Sequence, residues 1–162
     1  MNKNSLELLI KAMKEQKITL AIAESITAGN AMSNLANIQG ISDVLLGGVV
    51  TYKRETKEQI LDVDAKLIDD FTAESQEVTN AMAKGLRSVF MPKMSVAITG
   101  AASEPSKESE YTIKVPVGTV FLSILYKDRL YEFHDKFGGN GEQVRQQAVD
   151  MMFKEISKIV NT

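Results

Sequence analysis

The chain has 162 residues, 44% of them hydrophobic and 25% charged, with a net charge of -2. That length and apolar content suit one compact domain, 1–162, with its own core, and the near balance of acids and bases excludes a disordered chain and a strongly basic nucleic-acid binder. The absence of cysteine excludes disulfides, thiolate metal sites and cysteine nucleophiles, and the single histidine, His134, is too few for a histidine-rich metal site.

Residues 1–16 carry no apolar run of signal-peptide length, and the longest apolar run, 44–50, is interrupted by Gly47 and Gly48. A soluble, unprocessed, cytoplasmic protein with no membrane partner is therefore expected.

Leu6, Leu9, Ile10 and Met13 recur at helical spacing, so the chain should open with a helix that ends near Lys17. Residues 18–23 alternate and favour a strand, followed by a turn at 24–29 and a helix to about Ala36. Residues 44–52 read as a buried strand whose glycines imply close approach by another backbone, and 56–61 as a short helix. Asp69 and Asp70 fit a solvated helix face or turn. Val78, Met82, Leu86 and Val89 share one face of a helix over 74–90, and 95–99 form a short strand ending at Gly100.

A polar loop follows from Ala101 to about Val115. The runs 117–125 and 130–137 should form a hairpin turning at Lys127 and Asp128, with Tyr131, Phe133 and Phe137 opposite a wet face that holds His134. The final helix, from about Glu142, is marked by Val144, Ala148, Val149, Met152, Ile156, Ile159 and Val160. Strand and helix alternation followed by a hairpin predicts an α/β fold, three-layer α/β/α with a mixed, mainly parallel sheet.

In such sheets ligands collect beyond the carboxyl ends of the strands. Ser25 stands at one such end, where free N–H groups could stabilise an anion, although Ser25 or Thr27 acting as a helix cap accounts for the same residues. Tyr52 and Lys57 flank the next junction. A serine can be activated by a lysine whose amine is kept neutral by burial, whereas a surface lysine beside an aromatic residue is the ordinary alternative. The segment 138–141 could cradle a phosphate, with Arg145 one turn further on, or simply be a glycine turn. Neither a P-loop nor a dinucleotide-binding signature occurs.

In order along the chain, Ala23-Glu24-Ser25-Ile26-Thr27-Ala28-Gly29, Gly40-Ile41-Ser42, Gly47-Gly48-Val49-Val50-Thr51-Tyr52 with Lys57, Val96-Ala97-Ile98-Thr99-Gly100, Pro116-Val117-Gly118-Thr119-Val120 and Val144-Arg145 resemble the C-terminal domain of the competence/damage-inducible CinA family. That family includes stand-alone nicotinamide mononucleotide amidases of the PncC type. The resemblance implies conversion of nicotinamide mononucleotide to nicotinate mononucleotide plus ammonia, with no metal or other cofactor, by a homo-oligomer.

It also implies Ser25 as nucleophile with Tyr52 and Lys57 as its partners, and Thr27, Ala28, Gly29, Gly100, Ala101, Ala102 and Arg145 around the substrate. Four departures stand out: Ile26 replaces the family's usual Cys, Ala28 replaces the first Gly of its GG pair, Glu104 lies in the loop that is glycine-rich in the family, and Gly141 stands where an Arg is frequent just before the last helix, leaving Arg145 as the remaining match. The alternative is a catalytically degenerate member that binds a different nucleotide or a protein partner.

Overall fold

A computed structural model describes residues 1–162. Five strands, β1 (Leu20–Glu24), β2 (Leu45–Val50), β3 (Met94–Gly100), β4 (Thr119–Tyr126) and β5 (Arg129–Lys136), form one sheet in the order β2-β1-β3-β4-β5. β1 pairs in parallel with β2 and β3, and β4 is antiparallel to both β3 and β5. All strands but β4 therefore point the same way, which is the mixed, mainly parallel sheet expected.

Helices α1 (Lys3–Glu15), α2 (Asn30–Ala36) and α6 (Gly141–Val160) cover one face, and α3 (Arg54–Leu61), α4 (Ala65–Phe71) and α5 (Gln76–Phe90) the other. Alternation within β1 explains the division: Leu20 and Ile22 enter the first core with Leu9 and Phe153, whereas Ala21 and Ala23 enter the second with Met82 and Leu86. The helices start where local chemistry dictates. Asn2 caps α1, Ser75 caps α5, and Asn140 and Gln143 form a reciprocal capping box at α6. That box makes the 138–141 glycines a strand-to-helix turn. Lys127 and Asp128, both with positive φ, make the expected tight hairpin.

Two expectations need correction. The apolar run 44–52 is not a buried strand: β2 is the edge of the sheet, and Leu46 and Val50 are exposed. Of its glycines, Gly48 marks close approach by another backbone, because a Cβ there would lie 2.4 Å from the Ile22 carbonyl oxygen and 2.5 Å from Met32 Sδ, whereas Gly47 meets only the Phe90 ring. Val89 is also exposed; the inner face of α5 instead carries Val78, Thr79, Met82, Ala83 and Leu86. The loop from Ala101 contains no regular element before β4, and no helix is long and apolar enough to cross a membrane.

Candidate active site

Glu24 pairs in register with Val50 and Ile98, so the carboxyl ends of β1, β2 and β3 lie at one end of the sheet. Ser25, Thr51 and Gly100 leave that end as the first residues of their connections or the last of their strands. The fold thus gathers three segments that are distant in sequence, as expected of a site at strand carboxyl ends.

The turn from Ser25 to Gly29 is organised by Glu24. Its carboxylate is fully buried and accepts from the backbone N–H groups of Gly29 (3.0 Å), Ala31 (3.0 Å) and Met32 (2.9 Å). These are the donors that the first turn of α2 would otherwise leave unmatched. The capping reading of Ser25 and Thr27 is therefore corrected: the N-cap of α2 is Gly29, with no side-chain cap, and the acid one residue before Ser25 does that work. Released from capping, Ser25 is tied by its N–H to the Ile98 carbonyl, and its hydroxyl is free to face elsewhere.

It faces Lys57. Lys57 and Leu61, one helical turn apart, are the inward residues of α3, and Lys57 is only 1% exposed. Its Nζ lies 3.1 Å from Ser25 Oγ and donates to the carbonyls of Thr51 (2.6 Å) and Tyr52 (3.4 Å). Burial pushes the amine down to about 8, against an upward pull from the Glu74 carboxylate. A lysine at that value has a useful neutral fraction near neutral pH, so it can take a proton from the hydroxyl beside it.

Tyr52 enters differently from Ser25 and Lys57. Its side chain is 65% exposed, and what reaches Lys57 is its main-chain carbonyl. The base and the serine meet directly, without the phenol between them.

The N–H groups of Ile26 and Thr27 have no acceptor in the protein, and the Thr27 hydroxyl is buried without a partner. Unmatched donors beside a candidate nucleophile are suited to a developing oxyanion. Ala28 adopts positive φ, the left-handed conformation in which the family's glycine would be unstrained, so its methyl is held there at some cost in backbone strain. Ile26 sits in the core with α1, α2 and α6, away from solvent.

Thr27, Ala28 and Arg145 line one cleft of about 630 Å³ together with Asn30, Glu142 and the glutamines of α6. Gly29 follows directly as the cap of α2. The loop after Gly100 borders the same region: a Cβ on Gly141 would lie 3.5 Å from the Ala102 carbonyl oxygen and 3.0 Å from an Arg145 guanidinium nitrogen. Ala101 is buried, with its N–H donating to Thr119, and Glu104 is exposed. His134 is exposed on β5, remote in the strand order from Ser25.

Sequence reasoning missed Glu24 and Glu74. The signal for Glu24 was an acid at the end of an apolar strand, immediately before a turn into a helix. Glu74 gave no such sign.

The model of the CinA C-terminal domain family matches residues 2–160. A CinA-like protein of Petrotoga mobilis is 36% identical over 148 residues, covering 91% of this chain and 36% of that protein. The chain thus spans about a third of the length of the curated relatives it matches. Among solved structures, the competence-damaged protein (CinA) superfamily protein of Klebsiella pneumoniae superposes with a TM-score of 0.89 at 25% identity over 99% of both chains. The corresponding Escherichia coli superfamily protein gives 0.87 at 26% identity, over 99% of this chain and 90% of that one.

Proposed function

The chain belongs to the CinA C-terminal domain family, and on that premise we propose that it is an amidohydrolase converting nicotinamide mononucleotide to nicotinate mononucleotide and ammonia. The observation that carries this reading is the 3.1 Å contact between Ser25 Oγ and the amine of buried Lys57.

Neutral Lys57 accepts the Ser25 proton as Oγ attacks the carboxamide carbon, and the N–H groups of Ile26 and Thr27 take up the charge on the carbonyl oxygen. Collapse of the adduct expels the amine, which leaves as ammonia with the proton returned by Lys57. A water molecule deprotonated by the same amine then cleaves the acyl-serine ester and releases the carboxylate. The exposed Tyr52 side chain stays outside this proton path, and the residue serves through its main-chain carbonyl, which accepts from Lys57.

The cleft lined by Thr27, Ala28 and Arg145, with Gly29 and the turn at Gly100, Ala101 and Ala102 beside it, receives the nucleotide. Arg145 supplies the positive charge for its phosphate. Ammonia release from nicotinamide mononucleotide, measured beside a panel of other amides, tests the proposal. Binding of the mononucleotide without ammonia release from any amide would favour a non-hydrolytic member of the family.

A further inference from the structure

Ser25 and Lys57 stand at the carboxyl end of the sheet, yet they are only 8% and 1% exposed. A substrate carboxamide has to reach Ser25 Oγ, so whatever covers that end must give way. The connection between β3 and β4, residues 101–118, is placed to do so. Its two ends are fixed together beside the strands: the Ala101 N–H donates to the Thr119 carbonyl (3.0 Å) and the Gly118 N–H to the Ala101 carbonyl (2.7 Å). Between them it touches both helical layers. Ala102 and Ser103 lie against the start of α6, where a Cβ on Gly141 would be 3.5 Å from the Ala102 carbonyl oxygen and from Ser103 Cβ. Tyr111 lies against the start of α5, on the opposite face of the sheet, where its hydroxyl donates to Glu74 just before the Ser75 cap. That start is at the carboxyl end too, since Thr79 Oγ1 of α5 is 2.7 Å from Thr99 Oγ1 near the end of β3. The chain between 103 and 111 thus crosses the end of the sheet that holds Ser25.

We propose that residues 102–117 form a strap that closes over the Ser25–Lys57 site, and that the hydrogen bond from Tyr111 to Glu74 is its latch. With the latch made, the reacting groups are shut off from bulk water; with it broken, a small amide reaches Ser25. The proposal rests on the site assigned above, and its test does not use turnover.

The bonding of the strap suits a part that moves. It contains no helix or strand, and none of residues 102–117 is buried. Between 104 and 115, the bond from Tyr111 to Glu74 is the one hydrogen bond that leaves the connection. The others, from the Ser109 N–H to the Ser106 carbonyl and from the Tyr111 N–H to the Ser109 hydroxyl, are internal. A segment without buried side chains and with a single outside bond opens far more readily than the fold as a whole. Its acceptor, by contrast, is fixed: Glu74 is 9% exposed and precedes the cap of a helix whose inner face lies in the core. A phenol donating to a carboxylate makes a charge-assisted bond, stronger than a neutral one, so this single contact is enough to hold the strap down.

The chain has no cysteine, so Ser25→Cys places a single thiol under the strap. Its rate of modification by methyl methanethiosulfonate, read by intact mass, reports the cover over that position. Adding Tyr111→Phe should raise the rate about tenfold. Glu74→Met removes the acceptor at similar volume and should raise it to the same degree, and the two changes together should raise it no further, because each breaks the same bond. Ser95→Cys supplies a control thiol near the opposite end of β3, fully buried, whose rate should not change with Tyr111→Phe. An unchanged rate at position 25 in either variant, additive effects of the two, or an equal rise at position 95 overturns the proposal. Failure of the amidase reading would show separately, as absence of ammonia release by a wild-type protein whose strap behaves as described.

Discussion

Ser25 and Lys57, 32 residues apart in sequence, bring Oγ and Nζ to 3.1 Å in a region where Lys57 is almost wholly buried. The ammonium form has three N–H bonds and three acceptors: the Thr51 carbonyl, the Ser25 hydroxyl and, more distantly, the Tyr52 carbonyl. Loss of one proton leaves two donors for the carbonyls and a lone pair for the serine. The site therefore holds both protonation states of its base without rearrangement.

Hydrolysis needs the neutral amine, so kcat/KM should rise with pH and level off above an apparent value near 8. Lys57→Arg should be inactive across the same range, because guanidinium does not give up its proton there. A rate profile flat between about pH 6 and about pH 9, or an active Arg variant, would place the base elsewhere.

The same burial links stability to pH. Below pH 8 the amine is charged in both folded and unfolded chains, and the cost of burying that charge is present in full. Between about 8 and the ordinary 10.5 the unfolded chain binds more protons, so stability rises with pH through this window and levels off above it. Relative to Lys57→Met, the wild type should gain up to about 3 kcal/mol between about pH 7.5 and about pH 10. Urea unfolding of both proteins at the two pH values measures the difference; an equal change in both would show that Lys57 is not the group responsible.

Lys57 also marks where the sequence stops being legible. The layers and the hairpin follow from periodicity, and Ser25 is visible as a serine between a strand and a helix. The burial of Lys57 is not visible: α3 reads Arg-Glu-Thr-Lys-Glu-Gln-Ile-Leu, and only Leu61, one turn on, signals that Lys57 points inward. Edge and centre are likewise indistinguishable in an apolar run such as β2, because strand order is decided by which neighbours pair and not by composition. Glu24 fell outside the expected strand, which ended at Ala23, although it is the last residue of β1 and is fully buried.

Glu24 should therefore be sensitive out of proportion to its apparent position at the start of a turn. Glu24→Gln keeps the volume but turns an N–H₂ toward donors that now share one acceptor oxygen, and should cost about 3 kcal/mol in unfolding experiments. Turnover should fall as well, since the Ser25 turn loses its anchor. A variant within about 0.5 kcal/mol of wild type would show that the three N–H groups find other partners.

Gly48 and Gly138 offer a paired test of the packing. A methyl on Gly48 would press on the Ile22 carbonyl and on Met32, whereas nothing lies within 4 Å of one on Gly138. Gly48→Ala should lose more than about 2 kcal/mol and Gly138→Ala should stay within about 0.5 kcal/mol of wild type, read from the shift in urea midpoint. Similar midpoints for the two variants would contradict the close approach of α2 and β1 to β2.

The central claim, that Ser25 is a nucleophile activated by Lys57, is tested most directly by ammonia release from nicotinamide mononucleotide with wild type and Ser25→Ala side by side. Because Ser25 caps no helix, the Ala variant should still fold, losing about 1.5–3 kcal/mol for the hydrogen bond that buried Lys57 donates to Oγ, while its turnover falls by about three orders of magnitude or more. A folded Ser25→Ala protein that releases ammonia at close to the wild-type rate would contradict the account.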